Sequence, residues 1–106
     1  MAKYLVQGNY VGGGVQGLLK EGGSGRRAAI EKMAASLGGS VEGFYYAFGG
    51  VDVYVVLDMP DNTSMAALAL AANASGAVSV TTTVLMTPEE VDAVAKKTPD
   101  YRPPGK

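Results

Sequence analysis

Apolar and polar residues change rhythm along this chain, and the changes divide it into strands and helices. Residues 3–10 are aromatic and β-branched in flavour and predict a first strand, stopped by three consecutive glycines at 12–14. Residues 15–19 predict a single helical turn before the break Gly22-Gly23-Ser24-Gly25. From about Arg26 to Leu37 the apolar residues Ile30, Met33, Ala34 and Leu37 fall at spacings of three, four and seven, which make one stripe on a helix. Gly38-Gly39 ends it, since glycine takes the left-handed geometry of a helix C-terminus.

Residues 41–48 and 51–59 then predict two strands joined by Gly49-Gly50, a pair suited to a type I′ hairpin turn. Asp61 predicts the N-cap of a second helix reaching about Asn73, with Met65, Leu68, Ala69 and Ala72 as its stripe. Gly76 closes it, and residues 77–86, rich in Val and Thr, predict a fourth strand. Thr87-Pro88-Glu89-Glu90 is the sharpest local signal. It offers a threonine N-cap, proline at the first helical position and glutamate at the third, a capping box for a short helix reaching about Lys97. The order strand, helix, strand, strand, helix, strand predicts an α+β, ferredoxin-like βαββαβ fold. Its four-stranded antiparallel sheet would carry both helices on one face. A single domain over residues 1–97 and an extended, proline-containing arm over 98–106 complete the reading.

A tight hairpin would set Phe48 opposite Val51, Ala47 opposite Asp52, Tyr46 opposite Val53, Tyr45 opposite Tyr54 and Phe44 opposite Val55. Alternation then puts Phe44, Tyr46, Phe48, Val51, Val53 and Val55 under the helices. Tyr45, Asp52, Tyr54 and Val56 fall on the other face, with Ser79, Thr81 and Thr83 from the fourth strand. A helix-free face bearing two tyrosines predicts a contact surface. Two such faces packed together make a dimeric α/β barrel, so the chain is expected to be at least a homodimer.

Composition narrows the chemistry. The chain has 106 residues, and its net charge of −1 supplies no basic footprint for nucleic acid. It has no cysteine, which removes disulfides and thiolate sites, and no histidine, which removes the commonest metal ligand and general base. No cluster of carboxylates suggests a hard-cation site, so neither a metal nor a cofactor is expected. No apolar run approaches a membrane span, and nothing resembling a signal peptide follows Lys3. The cytoplasm is the default compartment, with no membrane partner.

Several segments together resemble a known family, over nearly the whole chain. They are Tyr4-Leu5-Val6-Gln7-Gly8-Asn9-Tyr10, Gly14-Val15, Arg26 or Arg27, Leu37-Gly38-Gly39, Gly43-Phe44-Tyr45, Phe48-Gly49-Gly50-Val51-Asp52-Val53, residues 76–83 and Thr87-Pro88-Glu89-Glu90. In order and spacing they resemble a GYD-domain protein. The chain departs from that pattern at the hairpin, where Val51 stands at the family's tyrosine position, Asp52 is retained and Tyr54 follows. The resemblance implies the ferredoxin-like fold and oligomers, and it carries no settled activity.

Asp52 is the most interesting carboxylate, since aromatic walls would raise its proton affinity and make it a proton acceptor. Its plainer reading is structural, a turn cap or a dimer contact. Tyr10, Tyr45 and Tyr54 are candidate pocket-lining residues, with Thr81 and Thr83 beside them, though all suit an ordinary sheet. Gly22-Gly23-Ser24-Gly25-Arg26-Arg27 offers backbone N–H groups and two guanidiniums, a candidate anion site. It has neither P-loop nor dinucleotide-binding spacing, and solvated arginines on a loop are the plainer reading. Two functions follow. One is an oligomeric module that binds a small, partly apolar ligand on the helix-free face or serves assembly. The other is a small cofactor-free enzyme, an isomerase or oxygenase, with Asp52 as base and Tyr45 or Tyr54 as hydrogen-bond donor.

Overall fold

The strand β1 (Ala2–Tyr10) organises the molecule because it pairs on both sides. In the computed structural model, which describes all of residues 1–106, six further elements follow. They are α1 (Gly14–Ser36), β2 (Ser40–Tyr46), β3 (Val53–Met59), α2 (Asn62–Ala74), β4 (Val78–Leu85) and α3 (Pro88–Ala95). The four strands form one sheet in the order β2-β3-β1-β4, and every neighbouring pair is antiparallel. This is the expected α+β architecture, consistent with a ferredoxin-like fold.

Strand alternation decides what is buried. Tyr4, Val6 and Gly8 of β1, and Val53, Val55, Leu57 and Met59 of β3, turn toward the helices and are buried. Ala34 of α1 with Met65 and Leu68 of α2 close over them, and these apolar side chains make up the core. On the opposite face the rows read Tyr45–Tyr54–Gln7–Thr81 and Gly43–Val56–Leu5–Thr83 across the four strands. A bulge between Val41 and Gly43 leaves Glu42 without a strand partner. Its carboxylate meets Lys3 Nζ at 2.6 Å, and Asp58 meets the same ammonium at 2.9 Å.

Local capping follows the sequence. Gly38 has φ 82°, and the N–H groups of Gly38 and Gly39 donate to Ala35 O and Ala34 O, a Schellman end for α1. Asp61 caps α2 by accepting the Ser64 N–H at 2.8 Å. Thr87 and Glu90 form the reciprocal capping box of α3. α1, however, is longer than the stripe predicted. Helix runs from Gly14 to Ser36 with one break at Gly22 (φ 80°, ψ 162°), so Gly23, Ser24 and Gly25 are helical.

The hairpin between β2 and β3 has the predicted register but not the predicted turn. Tyr46 pairs with Val53, Tyr45 with Tyr54 and Phe44 with Val55. Regular pairing nevertheless stops there, and neither Gly49 nor Gly50 has the positive φ that a type I′ turn demands. The reason is Asp52. Its carbonyl accepts from Ala47 N–H on the β2 side, while its N–H donates to Gly8 O on the β1 side. A regular antiparallel residue sends both groups to the same neighbour, so the ladder ends at this residue and a wider loop closes the hairpin. Phe48, predicted under the helices, is therefore fully exposed in that loop. Val84 and Met86 are also exposed, because the helices leave that end of β4 uncovered.

All residues from 88 to 106 are exposed, and α3 buries nothing. The radius of gyration is accordingly 16.9 Å, against about 13 Å for a compact chain of this size.

Gly14 marks the tightest approach in the fold. A Cβ there would collide with the Ala77 carbonyl oxygen, which is held in place by the Val11 N–H at 2.9 Å. Gly14→Ala is expected to lower stability by about 1–3 kcal/mol, read from the urea midpoint. Gly17→Ala, where nothing lies within 4 Å, should instead be neutral or gain up to about 1 kcal/mol from helix propensity.

Candidate functional site

Two helices rich in glycine and alanine leave space unfilled above this sheet. α1 opens with Gly14 and Gly17, and α2 presents Ala71 and Ala72 where longer side chains would reach the strands. The result is a cavity of about 380 Å³ between the helices and the sheet. Val6, Phe44, Val53, Val55, Leu57, Val78 and Val80 form its floor, and Leu18, Ile30, Met33 and Leu68 form much of its roof. The polar side chains in the lining are Glu21, Arg26 and Ser75, joined by the phenol of Tyr10.

Glu21 ends the first half of α1, immediately before the Gly22 break, and Arg26 lies in the first turns of the second half. Arg26 Nη1 faces Glu21 Oε2 at 3.5 Å. The break is fastened from the sheet by Tyr46, whose hydroxyl donates to Gly23 O at 3.1 Å. Burial pushes the Tyr10 phenol up to about 12, Tyr46 adds to the shift, and the Arg26 guanidinium opposes it. Tyr10 therefore remains a neutral hydrogen-bond donor across the physiological range. Ser75 is occupied by its own helix end, donating to Ala72 O and accepting from Ala77 N–H.

The residues singled out in the sequence divide between two sides of the sheet. Tyr45, Tyr54, Thr81 and Thr83 share the helix-free face, as their alternation requires, and Tyr45 is 71% exposed. Tyr10 does not join them. It pairs with Val78, follows the parity of Tyr4 and Val6, and lines the cavity on the helix side. Asp52 stands at the end of β3, where one carboxylate oxygen accepts the Tyr10 N–H at 3.0 Å. Its own N–H donates to Asn9 Oδ1 at 3.0 Å, so Asp52 and the end of β1 clasp each other.

Arg26 and Arg27, the candidate anion site, line different pockets. Arg26 points into the cavity, whereas Arg27 lines a separate depression of about 280 Å³ with Gly23, Ser24, Phe44 and Tyr46. Adjacent helical residues are about 100° apart around the axis, and the helix continues through both arginines. Phe44 and Leu68 were legible as helix-side residues, but the site role of these two and of Leu18 and Glu21 is signalled only by their small neighbours, the glycines and alanines along helix faces that must cover a sheet.

A family model for the GYD domain matches residues 4–95, from β1 through α3. The chain belongs to the GYD-domain family. No curated protein and no solved structure shows significant similarity to it. In this GYD domain the hairpin position at which the resemblance expects tyrosine holds a half-buried Val51, and the adjacent Asp52 fastens β3 to β1. No helix of the domain is long and apolar enough to cross a membrane.

The Tyr10 shift has a defined pH signature. Its ordinary value is 10.0 and its folded value about 12, so the neutral phenol stabilises the fold fully below pH 10. That contribution is lost as pH rises from 10 toward 12. Ultraviolet titration should show one phenol with a midpoint near 12 that disappears in Tyr10→Phe.

Proposed function

We propose that this GYD domain is a cytoplasmic binding module for a small, largely apolar molecule held between its helices and its sheet. We further propose that two copies join through their helix-free faces as a dimeric α/β barrel. The observation that carries the reading is the cavity. At about 380 Å³ it lies within the range of about 300–1,000 Å³ usual for ligand sites. The cavity opens to solvent, so an apolar ligand can enter it and remove its largely apolar walls from water.

This reading moves the ligand from the helix-free face to the opposite side and leaves the former for self-association. Leu5 and Val56 at its centre are only half-exposed, and Tyr45 and Tyr54 flank them. The alternative, a cofactor-free enzyme with Asp52 as base, has less support. The Asp52 carboxylate is held by the Tyr10 N–H and lines neither pocket.

Native mass spectrometry with the neutral probe N-phenyl-1-naphthylamine tests both parts. A dimer binding one probe per subunit is expected. Ala72→Phe, which fills the cavity from α2, should abolish probe binding and leave the dimer intact. Val56→Lys, at the middle of the helix-free face, should give a monomer that still binds. A wild-type protein that takes up no probe overturns the binding module, and a wild-type monomer overturns the barrel.

A further inference from the structure

Taking the cavity as a binding site, we propose that its ligand is an apolar carboxylic acid, whose carboxylate displaces Glu21 from Arg26 and accepts a hydrogen bond from the Tyr10 phenol. The inference rests on the binding reading above and adds the chemical class of the ligand. It starts from where the polar groups lie. Ser75 is committed to the end of α2, so Arg26, Glu21 and Tyr10 are the lining side chains whose polar groups remain to address a ligand.

The guanidinium is poorly satisfied where it stands. Its side chain is 28% exposed, and its contact with Glu21 is a single 3.5 Å approach. A charge-assisted N–H···O bond is about 2.7–2.9 Å long, and Arg and a carboxylate often pair through two such bonds in parallel. Beyond Glu21 the guanidinium faces the Tyr10 phenol, so most of arginine's five N–H donors are left for a ligand. Glu21 is a weak incumbent. It is 48% exposed and sits next to the break at Gly22, so its carboxylate can turn to solvent at little cost. The Tyr10 hydroxyl lies beside both Arg26 and Tyr46 and stays protonated, so it can donate to a carboxylate brought to the guanidinium.

The sign of the ligand's head follows. A cationic head would face Arg26, and a neutral one would leave the Arg26–Glu21 pair as it is. One guanidinium and one phenol match the charge and the two oxygens of a carboxylate, whereas a phosphate dianion calls for more positive charge than a single arginine brings. Behind that head the walls are aliphatic and aromatic. A cavity of about 150 Å³ holds benzene, and this one is about 2.5 times as large. The body is therefore the size of a fused two-ring aryl group or a medium-length alkyl chain.

Calorimetric titration of the full chain with 2-naphthoate and its neutral isostere 2-naphthamide decides the point. The wild type should bind naphthoate about tenfold more tightly or better, the scale of a charged hydrogen bond. Arg26→Gln should remove that preference and leave naphthamide affinity within about twofold, since the apolar walls are untouched. Glu21→Gln should tighten naphthoate alone, because it removes the competing carboxylate. A purely structural role for the pair predicts the opposite, a weakening of both ligands. If Arg26→Gln fails to fold, Glu21→Gln decides alone. Equal binding of the two ligands to the wild type, or weaker naphthoate binding by Glu21→Gln, overturns the carboxylate and leaves the cavity reading standing. If naphthoate, naphthamide and N-phenyl-1-naphthylamine all fail to bind, the cavity reading falls as well.

Discussion

The volume left between two sparsely decorated helices and a fully decorated sheet governs the rest of this structure. β1 and β3 place Val6, Val53, Val55 and Leu57 toward the helices, and the strands on either side add Phe44, Val78 and Val80. Above them, α1 contributes glycines along its first half and α2 contributes alanines. Protein interiors normally pack as densely as organic crystals. Here Tyr4, Met59, Ala34 and Met65 are fully enclosed, whereas the space near Gly17, Ala71 and Ala72 is left unfilled. The fold is thus well packed at one end of the helix layer and hollow at the other.

The break at Gly22 belongs to the same design. A continuous helix would carry residues 14–21 along a single line, whereas the positive φ at Gly22 redirects the first half of α1. Tyr46 holds the break in place from β2. The same few residues bring the charged pair Glu21–Arg26 and the Tyr10 phenol to the hollow end. Polar groups and unfilled apolar volume therefore coincide, the combination typical of a ligand site.

The helix-free face has a different character. Its rows are regular, its centre is aliphatic, and its two tyrosines are exposed or half-exposed beside threonines. At one end Lys3 holds Glu42 and Asp58, and at the other Asp52 is clasped to the end of β1. Both ends are thus tied by polar bonds, while Leu5 and Val56 stand between them beside Gln7 and the threonines of β4.

Much of this fold was legible in the sequence because its signals are local. The helix stops at Gly38-Gly39, the caps at Asp61 and Thr87, and the alternation that sorts Tyr45 from Phe44 each depend on a few neighbouring residues. The hairpin register was legible for the same reason, since Tyr45 and Tyr54 are equidistant from Gly49-Gly50. The turn itself was not, because Gly8 and Asn9, more than forty residues earlier, capture the Asp52 N–H. Tyr10 shares the parity of Tyr4 and Val6, so its side of the sheet follows from alternation along β1, but that a cavity lies beside it on that side does not. Arg26 and Arg27, adjacent in sequence, part company because a helix turns them to different pockets. The sequence alone therefore determined the elements, their ends and the parity of their faces, which are consequences of short-range sterics and hydrogen bonding. Only the tertiary structure decided where volume would be missing, because a void is a property of two helices and a sheet together and of no segment alone.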